Sequence, residues 1–236
     1  MKSRFLLESL VGPRTLQTAL QLTASVAIYA KDKDSPLILI DDHLPYPQAI
    51  LRVFGRIQHR RRRHGRGRLK YPHLKPPAEL QVGVVKKIRD HRGNLLKVST
   101  KALFGKKTDI EKRIQTLGIG RKINTSHIER LNGTIRGQQA RLARRTRNGS
   151  HLEIMLQYSV WVWRDLYNWT RGHSSLSDQT PAMALGLADE TWTVQKYILY
   201  PVHVSDLQHQ DWAEERNSVL ESAIDVYERN KTLPIS

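Results

Sequence analysis

Apolar residues recur along this chain at several spacings, and each spacing predicts a different element. Residues 4–11 are an apolar stretch that predicts a strand, closed by Gly12 and Pro13. Thr15 then caps a predicted helix over 16–29, whose inner face carries Leu16, Ala19, Leu20 and Thr23. After the polar loop KDKDSP, residues 37–40 are wholly apolar, the pattern of a strand buried on both faces, and the run ends on Asp41-Asp42. Pro47 opens a second helix that reaches about Phe54. Residues 81–88 and 95–103 read as the arms of a β-hairpin, with Val82, Val84 and Ile88 on one, Leu96 and Val98 on the other, and Gly93-Asn94 at the turn.

The second half is mostly helical in pattern. Thr108, with Glu111 three residues on, has the form of a capping box. Thr125 or Ser126 caps a long helix whose stripe is Ile128, Leu131, Ile135 and Leu142. Asn148-Gly149-Ser150 interrupts the chain, and 151–169 follow as an aromatic helix. Its Trp161, Trp163, Tyr167 and Trp169 are expected to pack against other elements rather than stack on bases. The loop RGHSSLSDQTP, a short helix over 181–187, an apolar segment over 191–200 and a tail with a helix expected over 211–230 complete the chain. No apolar run approaches the ~20 residues of a membrane span, so no membrane partner is expected.

Charge narrows the choice of partner. The chain carries 39 Lys and Arg against 22 Asp and Glu, a formal net charge of +17. Such a surplus attracts phosphates, and counterion release strengthens the contact. Residues 56–75 hold seven Arg and two Lys with no acid, centred on Arg60, Arg61, Arg62 and Arg63. Packing like charges is unfavourable unless they are solvated or meet anions, so this segment reads as a flexible loop, with DNA-phosphate contact favoured over a targeting signal or a simply solvated loop. A second acid-free stretch runs through Arg130, Arg136, Arg141, Arg144 and Arg145 and predicts a DNA-tracking surface. There is no cysteine, which excludes disulfides, thiolate zinc sites and thiol nucleophiles and fits a reducing cytoplasm. Dispersed histidines without an HExxH motif give no histidine metal site, although His173 in the RGHSSL loop could play an accessory part.

Two acids stand out by position. Asp41 follows the apolar strand, and ligands of open α/β sheets lie beyond the carboxyl ends of strands. Glu129 lies near the start of a predicted helix with Asn132 and Arg136 three and seven residues on, which share its face. A carboxylate there could ligate a metal while the amide and guanidinium hold a phosphate or base. The plainer alternatives stand beside these: Asp41-Asp42 as turn residues, and Glu129 as a solvated acid favoured by the helix dipole.

The segment INTSHIERLNGTIRGQQARLARRT, residues 123–146, resembles the region around the last catalytic Glu of DDE-type bacterial insertion-sequence transposases, approximately N-T-x-x-[IV]-E-R-x-N-x-T-x-R. LIDDHLPYPQAILRVFG resembles the strand and helix bearing the family's second Asp, D-x-x-x-x-Y-P-x-A-[IL], in a register that selects Asp41 over Asp42. YNWTRGHSSL with TPAMALGLADETWT resembles the C-terminal motif, and SRFLLESLVGPRTLQTA the third strand and first helix. Together they extend from Ser3 to about Tyr200 in the family's order. The resemblance implies an α/β, RNase H-like core in which Asp41 and Glu129 are catalytic metal ligands. Two Mg²⁺ (or Mn²⁺) ions would promote in-line displacement at DNA phosphorus. DNA, both transposon ends and target, would be the partner, in the cytoplasm and associated with the nucleoid.

The resemblance also implies an incomplete core. The family's first Asp lies upstream of Arg4, and the first two strands, which would sit between residues 4–11 and 37–40 in the sheet order 3-2-1-4-5, are expected to be missing. The organisation expected is therefore a partial core over 1–55, an inserted basic loop and hairpin over 56–107, the rest of the core over 108–200 and a helical tail over 201–236. As this fragment, the enzyme is expected to be inactive. The competing reading is a noncatalytic DNA-binding remnant that homodimerises or associates with the intact transposase and inhibits it.

Overall fold

The computed structural model describes residues 3–30, 35–58, 73–143 and 146–201, and they form a mixed α/β protein. These residues divide into two compact units, 14–110 and 3–13 with 111–201.

In the first unit, helix α1 (Leu16–Ala30) starts at Thr15, whose hydroxyl accepts from the Thr18 amide at 3.4 Å. The predicted face is the one that packs: Ala19, Leu20, Thr23, Ala24 and Ser25 are buried. Strand β1 (Leu37–Asp41) leads into α2 (Pro45–Phe54), with Pro in its first turn, where a missing N–H costs nothing. Small Ala19 and Ala49 let the α1 and α2 side chains close on Leu20, with Leu16, Tyr46 and Val53 at the margin. Helix α2 stops at Gly55, where a Cβ would collide with the Leu51 carbonyl oxygen.

The sheet of this unit contains β1, β4 (Gln81–Arg89) and β5 (Leu95–Phe104) in the order β1-β4-β5, with β1 parallel and β5 antiparallel to β4. A second, two-stranded sheet pairs β2 (Arg56–Gln58) with β3 (His73–Lys75), so regular structure enters both ends of the segment expected to be wholly loop. Ile40, Ile50, Leu80, Val82 and Val84 form the core, flanked by Ile38, Tyr46, Phe54, Leu103 and Phe104. Leu80 is fully buried, so its truncation to Ala should cost about 2–5 kcal/mol. The hairpin forms as its alternation predicts. By contrast β1 is only half-buried over residues 37–39, with Ile40 buried and Asp41 exposed, and it lies at the edge of the sheet beside β4.

Helix α3 (Lys107–Thr116) carries buried Ile110 and Ile114. It starts one residue before Thr108, on the Lys106 carbonyl, so the predicted capping box does not form. In the second unit, α4 (Ser126–Gln138) is followed by a 3₁₀ turn at Ala140–Leu142, then α5 (Glu153–Trp169), α6 (Pro181–Ala184) and α7 (Val194–Ile198). Helix α5 is its centre. Val160, Trp163 and Tyr167 are buried, the Trp163 and Tyr167 rings stack at 5.2 Å, and Trp169 meets Trp192 at 4.6 Å. The aromatic residues are thus packing residues, as expected. Thr180 and Thr193 cap α6 and α7 by accepting from Met183 and Lys196 amides.

The predicted first strand is not a strand. Among the described residues, 3–11 pair with no other strand. Instead, two side-chain amides of α5 satisfy the extended segment. Asn168 accepts from the Leu6 amide and donates to the Leu6 carbonyl, both at 2.9 Å. Gln157 accepts from the Val11 amide at 2.6 Å and donates to the Ser9 carbonyl at 2.8 Å. Buried backbone groups must find partners, and here a helix supplies them.

Helix α4 is shorter than predicted and has no buried residue; Ile128 of its expected apolar stripe is exposed. Gly133 and Gly137 weaken it. Its end is tied to α5 by Gln138, which accepts from Trp163 Nε1 at 2.9 Å, and by Gln139, which accepts from the Ser159 hydroxyl at 3.1 Å. The tail helix expected over 211–230 lies outside the described residues.

Candidate nucleic-acid and metal-binding residues

Asp41 ends β1, opposite Val85 of the parallel neighbour β4, and is exposed. Its carboxylate makes no hydrogen bond or ion pair among the described residues, whereas that of Asp42 is bound by Lys86 of β4 at 3.2 Å. Both adjacent acids are exposed, but only Asp42 is paired with Lys86. Around them, His43 meets Tyr46 edge-on at 5.2 Å, and Arg14 Nη2 lies 3.4 Å from His43 Nδ1. Burial, followed by the negative charge of Asp41, raises the Tyr46 hydroxyl above its ordinary pKa, and Arg14 partly offsets them.

Glu129 belongs to the other unit, in the first turn of α4, and is exposed. Thr125 precedes the helix, but its hydroxyl does not cap a backbone N–H. It donates to Glu129 Oε1 at 2.6 Å. Asn132 and Arg136 are exposed on the same helical face, and Arg130 and Arg141 are exposed as well. Arg141 Nη1 reaches the Ser150 hydroxyl at 3.4 Å. Arg60, Arg61, Arg62, Arg63, Arg144 and Arg145 lie outside the described residues.

Sequence reasoning missed a cationic cluster beside the start of α4. Arg4 adopts a left-handed backbone (φ 55°), a strained conformation for a residue with a side chain, and places Nη1 3.2 Å from His127 Nδ1. His173 packs its ring against Tyr167 at 4.7 Å. Burial first, then the charges of Arg171 and Arg4, hold His173 below the ordinary histidine pKa, so it is neutral at pH 7. Arg4 Nε and His173 Nε2 are buried without a hydrogen-bond partner among the described residues. Residues 3–4 and 171–173 are far apart in sequence, so no motif announces the cluster.

Glu8 is structural. Its carboxylate, 4% exposed, accepts from Arg164 Nη1 at 3.3 Å, Trp161 Nε1 at 3.2 Å and the Ser9 amide at 2.8 Å. Arg164 also bonds Asp165 at 2.8 Å, which accepts from the Tyr197 hydroxyl at 3.0 Å.

Exposed carboxylates such as Asp41 and Glu129 suit Mg²⁺, a hard ion that keeps several waters and needs few protein ligands. Among the described residues, no three His, Asp or Glu side chains gather to hold a metal ion. No helix among them is long and apolar enough to cross a membrane. No protein-family model, curated protein or solved structure matches the chain.

Proposed function

We propose that this chain is the catalytic region of a DDE-type transposase with an RNase H-like core, acting on DNA phosphodiesters with Mg²⁺ or Mn²⁺. The observation that carries the reading is the solvent-facing side of α4. A helix that commits no residue to a core presents a carboxylate, an amide and a guanidinium together in Glu129, Asn132 and Arg136. Asp41, at the carboxyl end of a parallel strand, is the second carboxylate that the resemblance implies. Two metal ions held by such groups would activate the attacking oxygen and stabilise the leaving one. Arg130, Arg136 and Arg141 would hold the phosphate backbone.

The reading assigns two of the three expected carboxylates to these 236 residues. A protein of these residues alone is therefore expected to bind duplex DNA without cutting or joining it, because in-line displacement depends on exact placement of the nucleophile. The test is a binding titration with a nicking and strand-transfer assay in Mg²⁺ or Mn²⁺, run on the chain and on Asp41→Ala and Glu129→Ala. Salt-dependent binding without cleavage is expected. Absence of DNA binding would overturn the reading, and metal-dependent cleavage indifferent to both substitutions would overturn the site assignment.

A further inference from the structure

Beyond Val85 the β4–β5 hairpin leaves the core. Lys86, Lys87, Ile88 and Arg89 on one strand and Leu95, Leu96, Lys97 and Val98 on the other are all exposed. In the ladder, Lys86 pairs with Ser99, Lys87 with Val98, Ile88 with Lys97 and Arg89 with Leu95. Directly opposed residues project from the same face. Lys86 and Lys97 therefore lie on one face and Lys87 and Arg89 on the other, with Arg92 at the turn.

The only acid from 86 to 101 is Asp90, and the turn uses it. Its carboxylate accepts from the Arg92 amide at 2.9 Å, the Asn94 amide at 2.7 Å and Asn94 Nδ2 at 3.0 Å. Lys86 is already bonded to Asp42. The ribbon thus presents positive charge on both faces and at its tip, around apolar Leu95 and Leu96. The ladder shifts register between Ile88 and Arg89, and such bulges increase twist and re-aim side chains.

The dimensions identify a partner. Four residues per strand at ~3.3 Å give about 13 Å of two-stranded ribbon. The major groove of B-DNA is ~12 Å wide and ~8.5 Å deep, and it admits a ribbon of this kind. A groove walled by two phosphate strands matches cations on both faces, and thymine methyls match apolar side chains at the tip.

We propose that the tip of the β4–β5 hairpin inserts into the major groove of duplex DNA. Arg89, Arg92 and Lys97 contact the phosphates of the flanking strands, and Leu95 and Leu96 face the bases. The inference deepens the DNA-binding reading above and rests on it.

The experiment is an anisotropy titration of the full chain with a labelled duplex between about 50 and 200 mM salt, repeated with R89A/R92A/K97A. The triple variant should lose more than tenfold in affinity at the lower salt, and its plot of log affinity against log salt should be shallower by about 2–3, at ~0.9 per lost phosphate contact. L95S/L96S should weaken binding with an unchanged slope, since apolar contacts release no counterions. Methyl green, which occupies the major groove, should compete, and netropsin, which occupies the minor groove, should not. A wild-type slope in the triple variant, or displacement by netropsin alone, would overturn the hairpin assignment. A wild-type chain that binds no duplex would instead sink the functional reading beneath it.

Discussion

The hydroxyl of buried Thr125 is bonded to the carboxylate of Glu129 one helical turn later, at 2.6 Å. This gives up the usual capping bond to hold the side chain of an exposed residue. A hydrogen bond to a charged group contributes about 1.5–3 kcal/mol, and exposure of Glu129 reduces that to about 1 kcal/mol here. Thr125→Val should therefore lower stability by about that amount in urea denaturation, while Thr125→Ser should keep most of it. An unchanged midpoint for Thr125→Val would show that the bond does not order Glu129.

Glu8 anchors the N-terminal segment through a nearly buried carboxylate held by Arg164, Trp161 and the Ser9 amide. Removing one partner of a buried pair is costly, about 3–5 kcal/mol. Arg164 keeps Asp165 and is partly exposed, so Glu8→Ala should cost about 2–3 kcal/mol, with DNA affinity at low temperature unchanged. A stable variant that has lost DNA binding would move Glu8 from the scaffold into the functional surface.

Tyr197 should dominate the alkaline limb of stability. Burial first, then the charge of Asp165 and the hydrogen bond to it, push its hydroxyl from 10.0 to about 12. The folded state therefore retains a proton that the unfolded state releases. This contribution is fully present below pH 10 and is lost as pH rises from there through about 12. Tyr197→Phe should lose some stability at neutral pH but show a flatter decline above pH 10, and should lack the last tyrosinate absorbance step. An alkaline limb identical to wild type would contradict the assignment.

Exposed arginines on α4 predict a second electrostatic effect. Arg130→Ala with Arg136→Ala should weaken duplex binding uniformly across sequences and reduce the salt slope by about 2, near one unit per phosphate contact. Sequence-selective loss would mean that these residues read bases.

Helical periodicity made α1, α2 and α5 legible, since one apolar face of each meets a core and Gly55 or a proline marks an end. The hairpin arms were legible for the same kind of reason. Alternation did not reveal that Ile88, Leu96 and Val98 are exposed, because a pattern records which residues could be buried, not what arrives to bury them. Residues 4–11 misled in the same way: an extended apolar run implies a strand, but whether a strand lies beside it depends on distant residues. The difference between Asp41 and Asp42 came from Lys86, a neighbour only through the β1–β4 pairing.

Gln157 and Asn168 each offer one donor and one acceptor, the same pair that a neighbouring peptide group would offer. At Leu6, Ser9 and Val11 the segment is recognised by its main chain, so the side chains at those positions can drift with little penalty, whereas Glu8 cannot. The amides cannot: an acid lacks the donor, and a leucine of similar shape lacks both groups. Across divergent relatives, the imprint of this docking should therefore be found in two polar letters within an aromatic helix, while the three residues whose main chain they hold lose any recognisable spelling.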